Sequence, residues 1–393
     1  MKHHANHIFE HTPDSLTAWC ESVRMPKFRA KQILEWVYEK GTADPASMTN
    51  LSKADRDALA HDMIFLSGSV AAHQIASDGT QKLLIEWTDA SATPTPEADA
   101  SREVFITNPR SLPLLNAVPT TGDPSRQTEC VMIPSQDADP DAGRDEPSRR
   151  TACISSQIGC PVGCKFCASG IGGLDGNLSA GRIVEQVWRL CRLPDVRRIT
   201  NVVFMGMGEP LSNMAAVVPA IRTITSLWAL GISARKVTVS TVGLPKAIEK
   251  LGEQLDLPVT LALSLHAPND EIRRKLIPWA EYTTIKELLA ACQKWFDRTG
   301  REITLEYTLL KGVNDRAEHA EQLAVIAKDL RANINLIRYN EVRGMPFERP
   351  SSADVVAFQN ILRGRFINTH IRASRGRDIA AACGQLRHEK ATA

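Results

Sequence analysis

From residue 151 onward the chain alternates short apolar runs with longer stretches of helical period, and this alternation constrains the fold more than any other feature. The runs "TACISS", "ITNVVFMG", "KVTVST", "VTLALSL", "EITLEYTL", "NINLIRY" and "FINTHIRA" have the length and apolar content of buried strands. Between them lie "SAGRIVEQVWRLC", "NMAAVVPAIRTITSLW", "LPKAIEKLGEQL", "TIKELLAACQKWFDRTG", "RAEHAEQLAVIAKDLR" and "ADVVAFQNILRGR", each with apolar residues at helical spacing. Parallel strands need a crossover, so repeated βα units predict a parallel sheet covered by helices. Six or seven units fall short of the eight that close a barrel. The expected fold class is therefore α/β, an incomplete (βα)6-type TIM barrel over residues 151–376.

Residues 1–68 read as a small helical domain. "DSLTAWCESV" offers an acidic cap before an apolar stripe, "FRAKQILEWVYEKG" carries Ile33, Leu34, Val37 and Tyr38 at helical spacing and ends in glycine, and "LSKADRDALAHDM" continues the pattern. His3, His4, His7 and His11 crowd the start and read as a frayed terminus. Residues 69–150 turn to β-type runs, "QKLLIEW", "EVFITN" and "ECVMIP". The polar stretches around them, near 90–126 and 135–150, are poor in aromatics and rich in Pro, Asp and Ser. They lack the apolar surface to order themselves and read as flexible insertions in a β-rich connector. Residues 377–393 form a C-terminal tail.

Lysine and arginine total 47 against 45 acids, a net charge of +2, so there is no global basic field. Arginines nevertheless recur late in the chain, at Arg338, Arg343, Arg349, Arg363, Arg365, Arg372, Arg375, Arg377 and Arg387. Such a face suits phosphate, because a guanidinium fork holds two oxygens at once; a plain solvated surface is the competing reading. No stretch approaches the ~20 apolar residues of a membrane span, and "MKHHANHIFEHTPDSL" lacks the apolar core of a signal peptide. These features point to a cytoplasmic chain with no membrane contact. Thiols stay reduced there, so clustered cysteines read as metal-binding or catalytic.

The segment "CISSQIGCPVGCKFCASG" holds Cys153 and then Cys160, Cys164 and Cys167 in the pattern C-x3-C-x2-C. It follows the first strand of the α/β region, at the end where such folds build their sites. Cysteine thiolates are the usual ligands of iron–sulfur clusters, and three of them leave one corner of a four-iron cube open. A structural zinc would want a fourth protein ligand, but spacing alone leaves zinc possible. "FMGMGEPLSN", with Gly208 and Glu209, follows the second strand; a glycine there lets backbone approach a ligand closely, though a structural turn explains it equally well. Ser240 in "TVSTVG", Ser264, Leu265 and His266 in "LALSLHAPND", and Asn340 in "NLIRYN" lie at further strand ends and converge on one mouth. Cys20, Cys130, Cys191 and Cys292 read as core residues.

With an aromatic before its last cysteine, the C-x3-C-x2-C loop resembles that of the radical S-adenosylmethionine (SAM) superfamily. "CISSQIGCPVGCKFC", "NVVFMGMGEPL", "SLHAPNDEIRRKLIP", "EYTLLKGVND", "INLIRYN" and "RGRDIAAACGQL" together resemble the RlmN/Cfr family of dual-cysteine radical SAM RNA methyltransferases. "MPKFRAKQILEWVY" and "SDGTQKLLIEW" are similar to that family's N-terminal accessory domain and the β region after it.

The resemblance implies a 4Fe–4S cluster on Cys160, Cys164 and Cys167, and SAM bound by Gly208, Glu209, Ser240, Ser264, Leu265, His266 and Asn340. An aromatic adenine carbon is a poor nucleophile for ordinary attack on SAM. In this family the methyl group moves first to a cysteine, here Cys383, and a second SAM is cleaved on the cluster to a radical that activates it. The carbon then adds to adenine as a protein–RNA crosslink, which a second thiol, here Cys153, resolves through a transient disulfide. A proton acceptor falls on Glu129 by the short match "TECVMIP", with the 135–150 insertion lengthening its distance to Cys153. A bond between Cys153 and Cys383 needs Cα atoms within about 7 Å, which a mobile glycine-containing tail allows.

The implied reaction is C2 methylation of adenine 2503 in 23S ribosomal RNA, and of adenine 37 in certain transfer RNAs, by a monomer served by an electron donor such as flavodoxin or ferredoxin. The alternative within the family is C8 methylation, which confers antibiotic resistance; outside it, a non-catalytic, metal-stabilised RNA-binding protein. The segment "CASGIGGLDGNL" and Arg338 in "NLIRYNEV" depart from the family's usual residues near the mouth.

Overall fold

The computed structural model describes residues 2–89, 122–137, 147–330 and 332–386. Near the start, α1 (Pro13–Ser22) is capped by Thr12, whose hydroxyl accepts from Ser15 N while Ser15 Oγ accepts from Thr12 N. The expected acidic cap, Asp14, instead sits in the first turn, where its charge opposes the helix dipole. Next comes α2 (Arg29–Leu34), which widens into a π-helical turn over Glu35–Glu39, and then α3 (Lys53–Asp62).

In chain order the strands are β1 (Gly68–Ile75), β2 (Gln81–Trp87), β3 (Gln127–Pro134), β4 (Arg150–Cys153), β5 (Gln157–Gly159), β6 (Leu174–Asn177), β7 (Asn201–Phe204), β8 (Val237–Thr241), β9 (Thr260–Ser264), β10 (Thr304–Leu309), β11 (Asn333–Arg338) and β12 (Thr369–Arg372). All but β5 and β6 join one sheet, in the order β1-β2-β3-β4-β7-β8-β9-β10-β11-β12. From β4 through β12 neighbours run parallel. The crossovers carry α4 (Ala180–Leu190), α5 (Met214–Thr225), α6 (Pro245–Gln254), α7 (Asp270–Leu276) with α8 (Ile285–Thr299), α9 (Ala317–Leu330) and α10 (Ser352–Gly364). This is the expected partial barrel, open between its edge strands β1 and β12.

The β-rich stretch before residue 150 is part of the same sheet, because β1, β2, β3 and β4 pair antiparallel in succession. β1 was not among the expected strands; the expected strand "EVFITN" and most of both insertions lie outside the described residues. The ends of the second insertion are stapled together: Ser135 N donates to Arg149 O at 2.8 Å and Ser148 N to Asp137 Oδ1 at 3.0 Å. β3 and β4 therefore stay adjacent whatever lies between them, with Val131 opposite Cys153.

The frayed N-terminus does not hold. His7 is buried, its Nε2 lies 3.2 Å from Glu185 Oε2 on α4, and Ile8 N donates to Ile64 O at 2.9 Å. Gly181 on α4 allows this docking, since a Cβ there would sit 2.1 Å from His7 Nδ1. Arg189 completes the buried group, its Nε 2.9 Å from Glu185 Oε1. One apolar core then runs from Phe9, Ile33 and Val37 through Trp188 into the helix-facing side of the sheet at Val239, Leu261, Leu305 and Leu336.

Candidate active site

Side chains of neighbouring strands that stand in register share a face. Val239, Leu263, Tyr307 and Leu336 face the helices, so the alternate residues line the concave side. The register runs Lys82–Val131–Cys153–Val203 on one flank and Ser264–Glu306–Asn335 on the other, with Ser240 beside Ala262 between them. Cys153, Ser240 and Ser264, which the sequence singled out separately, thus lie on one surface, and Glu129 joins them two residues from Val131.

The loop after β5 carries Cys160, Cys164 and Cys167, all partly exposed, in a nest of Val162, Phe166, Leu276, Ile277, Leu310 and Tyr339. Backbone bonds fix it: Cys160 N to Gly173 O at 2.8 Å, Cys167 N to Cys164 O at 3.1 Å, and Lys165 N to Leu276 O at 2.9 Å. Gly170 packs so tightly that a Cβ would meet Gly163 Cα at 2.9 Å. Burial pushes the Cys160 thiol up to about 12 and raises Cys164 and Cys167 as well. Thiolate formation here therefore calls for a bound counter-charge, and metal uptake releases protons. Among the described residues no three His, Cys, Asp or Glu side chains converge on a single ion. Three thiols on one loop in an apolar nest suit a cube, which takes one iron per thiolate and leaves a corner open. The chemistry and setting of these cysteines fit a 4Fe–4S cluster.

Gly206 and Gly208 owe their identity to packing. A Cβ on Gly206 would lie 2.7 Å from Ile154 O, and one on Gly208 (φ +104°) 2.7 Å from Gln157 Cβ. This tight turn buries Glu209, whose Oε1 accepts from Leu211 N at 3.1 Å and Oε2 from Val242 N at 2.8 Å. Desolvation nevertheless lifts its carboxyl to about 7. Leu265 is fully buried, while His266 stands in the left-handed region at φ 55°. Its Nδ1 accepts from Thr308 N at 3.1 Å, and its ring meets Phe166 of the cysteine loop edge-on at 5.0 Å. Burial drives this imidazole down to about 3, so it is neutral with its proton on Nε2.

As far as Leu386 the tail is tied to the barrel by hydrogen bonds. Asn340 Nδ2 donates to Cys383 O at 3.1 Å, Ala168 N to Gly384 O at 2.8 Å, and Ser169 Oγ to Leu386 O at 2.8 Å. Cys383 is thereby wedged between the cysteine loop and the end of β11. Around Cys153, the tail residues Ala381 and Leu386 pack with Val131 and Met207. All nine cysteines are free thiols. Burial first, and the neighbouring Cys383 charge second, push Cys153 up to about 12. Glu129 Oε1 lies 2.6 Å from Lys82 Nζ, and Lys82 also reaches Ala380 O at 3.4 Å.

Lys82 and Glu306 escaped the sequence reading, and Arg372 entered it only as one of the late arginines; all three are charges inside otherwise strand-like runs, and that anomaly was the signal for a site role. Arg372 Nη1 lies 3.5 Å from Glu306 Oε2, and Glu306 Oε1 accepts from Asn335 at 2.9 Å. The charge of Cys383, then that of Glu306, raises the guanidinium above its ordinary value. Part of the arginine run is tied into the fold: Arg338 donates to Pro350 O at 2.7 Å and Arg349 to Tyr339 O at 2.6 Å. Arg343, Arg363, Arg365 and Arg377 are exposed, Arg365 pairing with Glu321 at 2.8 Å, and Arg387 lies outside the described residues.

A partial βα barrel with three thiols on the loop behind its first parallel strand defines a radical SAM enzyme, and residues 154–324 match the Radical SAM superfamily. Residues 7–64 match the ribosomal RNA large subunit methyltransferase N-terminal domain. Among relatives, "Probable dual-specificity RNA methyltransferase RlmN" of Rhodopirellula baltica is 38% identical over 98% of this chain and 91% of its own length. "Dual-specificity RNA methyltransferase RlmN" of Dichelobacter nodosus is 38% identical over 96% of this chain and 93% of its own. A radical SAM methyltransferase from Sphaerobacter thermophilus superposes with a TM-score of 0.83 at 36% identity, covering 98% of this chain and 100% of that one. The chain belongs to the RlmN family of radical SAM RNA methyltransferases. That family implies SAM and a 4Fe–4S cluster. Among the described residues no helix is long and apolar enough to cross a membrane.

Proposed function

We propose that this chain methylates carbon 2 of adenine in RNA, acting as a cytoplasmic monomer on 23S ribosomal RNA and transfer RNA. What supports the reading is a tail cysteine outside the cluster triad, Cys383, on the segment whose Ala381 and Leu386 pack against a second non-cluster thiol, Cys153. Cys383 takes the methyl group of one SAM by ordinary sulfur alkylation. A cluster held by Cys160, Cys164 and Cys167 and reduced by a flavodoxin or ferredoxin would supply, with a second SAM, the radical chemistry that takes one hydrogen atom from this S-methyl group. The carbon-centred radical on Cys383 would then bond to the adenine ring, the adduct would pass its unpaired electron back to the bound cluster, and Glu129 accepts the proton that the ring carbon loses. Cys153, as thiolate, bonds to Cys383 sulfur, the carbon–sulfur bond breaks with its electron pair going to the carbon, and that carbon takes up a proton to complete the methyl group as the base leaves. Gly208, Glu209, Ser240, Ser264, Leu265, His266 and Asn340 surround the SAM site in this reading. The N-terminal helices with exposed Arg343 and Arg377 hold the RNA backbone, and the adenine is turned out of its stack to reach the mouth.

The test is methylation of a defined 23S fragment and of transfer RNA by anaerobically reconstituted enzyme, followed by digestion and mass spectrometry against authentic 2-methyl- and 8-methyladenosine. The 2-methyl isomer is expected. The 8-methyl isomer would overturn the regiochemistry, and modified RNA formed without consuming two SAM per methyl would overturn the route.

A further inference from the structure

Arg273 lies on α7 with 1% of its surface exposed. Its Nε donates to Leu265 O at 3.3 Å and its Nη2 to Val242 O. Among the described residues no carboxylate forms an ion pair with it, whereas buried Arg189 pairs with Glu185. Asp270, on the same helix, instead accepts from Ile285 N at 2.7 Å. A desolvated guanidinium whose direct hydrogen bonds go to two carbonyls, with Asp270 acting on it only through space, is an incomplete arrangement, because buried charges persist when paired.

What stands next to it is the cysteine loop. Leu276 O, one helical turn beyond Arg273, accepts from Lys165 N at 2.9 Å, directly after Cys164. Burial draws the guanidinium down to about 10, and Cys164 is the first group that counters this. Three thiolates give an oxidised cubane core a net negative charge, and reduction adds one more. A fixed cation on that side favours the reduced form, since net charge is one of the levers on cluster potential.

We infer that Arg273 is the counter-ion of the cluster held by Cys160, Cys164 and Cys167, and that it eases the cluster's reduction. The inference rests on the reading that those cysteines hold a 4Fe–4S cluster. Arg273→Gln keeps N–H donors for the two carbonyls and removes the charge; Arg273→Lys keeps the charge. Both variants and the wild type are reconstituted anaerobically without SAM, assayed for iron and sulfide, and titrated against potential by electron paramagnetic resonance. Leaving SAM out separates this role from a contact with the SAM carboxylate.

The expected result is a reduction equilibrium at least tenfold less favourable in Arg273→Gln, 59 mV for a one-electron couple, with Arg273→Lys nearer the wild type. A fully loaded Arg273→Gln protein with an unchanged midpoint overturns the inference. Should the variants not assemble, the cluster-free proteins decide: Arg273→Gln unfolds at higher urea than cluster-free wild type if the buried charge is an orphan there, and at equal or lower urea if it is not. A wild type that takes up no iron and sulfide sinks the cysteine assignment itself.

Discussion

Lys82 Nζ and Glu129 Oε1 are 2.6 Å apart on adjacent antiparallel strands, with both side chains under a tenth exposed. The same ammonium donates to Ala380 O in the tail. One cation therefore ties the candidate proton acceptor to the segment carrying Cys383. Removing one partner of a buried pair leaves the other charge uncompensated, which costs about 3–5 kcal/mol. Lys82→Met is expected to lose that much in urea unfolding, and Lys82→Met with Glu129→Leu to recover part of it. Single losses that simply add in the double variant would show that the two charges are not coupled.

The turn between β1 and β2 grips the tail a second time. Ser77 N donates to Asp378 Oδ2 at 2.8 Å and Gly376 N to Asp78 Oδ2 at 3.0 Å. Gly376 is at φ 63°, and a Cβ there would meet Thr80 Cγ2 at 2.8 Å, so the backbone has to approach this closely. Bonds to charged groups contribute about 1.5–3 kcal/mol. Asp78→Ala is therefore expected to speed limited proteolysis after Arg375 and Arg377 at least tenfold. It should also slow methyl transfer to Cys383, measured by mass spectrometry of the intact protein, while SAM cleavage stays unchanged. Cleavage at the wild-type rate would mean the turn does not restrain the tail.

Cys153 sits where its thiol is pushed up to about 12, chiefly by burial and then by the charge on Cys383. A raised thiol value means the neutral form dominates at neutral pH, and the thiolate fraction climbs about tenfold per pH unit below that value. In the proposed cycle Cys153 acts last, so the lifetime of the protein–RNA crosslink is expected to shorten as pH rises from 7 to 9. Cys153→Ala should accumulate the crosslink at every pH, and Cys383→Ala should cleave SAM yet form no crosslink. Gel-shift assays after quenching read both. A pH-independent lifetime in the wild type would remove Cys153 from the release step.

The barrel was legible because its signal is local. Each of the seven apolar runs after residue 151 contains a parallel strand, since strands covered by helices need apolar residues against them. The cysteine triad was legible for the same reason, being contiguous. β1, "GSVAAHQI", was not, because an edge strand half open to water carries Gly, Ser, His and Gln in place of an apolar run. α7 is seven residues rich in charge, and nothing in "DEIRRKL" says which arginine is buried. The 135–150 insertion made Glu129 look remote from Cys153. Strand pairing, which spacing along the chain does not reveal, makes them neighbours, and Ser155 Oγ even donates to Glu129 O at 2.7 Å. His7 looked frayed because its partner, Glu185, belongs to a helix far along the chain.

His266 gives a prediction with a definite sign. In the folded chain its value is lowered from 6.5 to about 3, by burial first and Arg273 second. As pH falls below 6.5 the unfolded chain takes up a proton that the folded chain refuses until about 3, so folding stability drops across that window. At about 1.4 kcal/mol per pH unit the loss between pH 7 and pH 4 is roughly 3 kcal/mol. His266→Asn keeps a side-chain acceptor for Thr308 N and tolerates the left-handed backbone at φ 55°, but does not titrate. The variant is expected to be somewhat less stable at pH 7, because it loses the ring packed on Phe166, yet its urea midpoint should fall far less between pH 7 and pH 4 than that of the wild type. Parallel decline in the two proteins would mean that the imidazole is protonated in the fold, and that some other group drives acid unfolding.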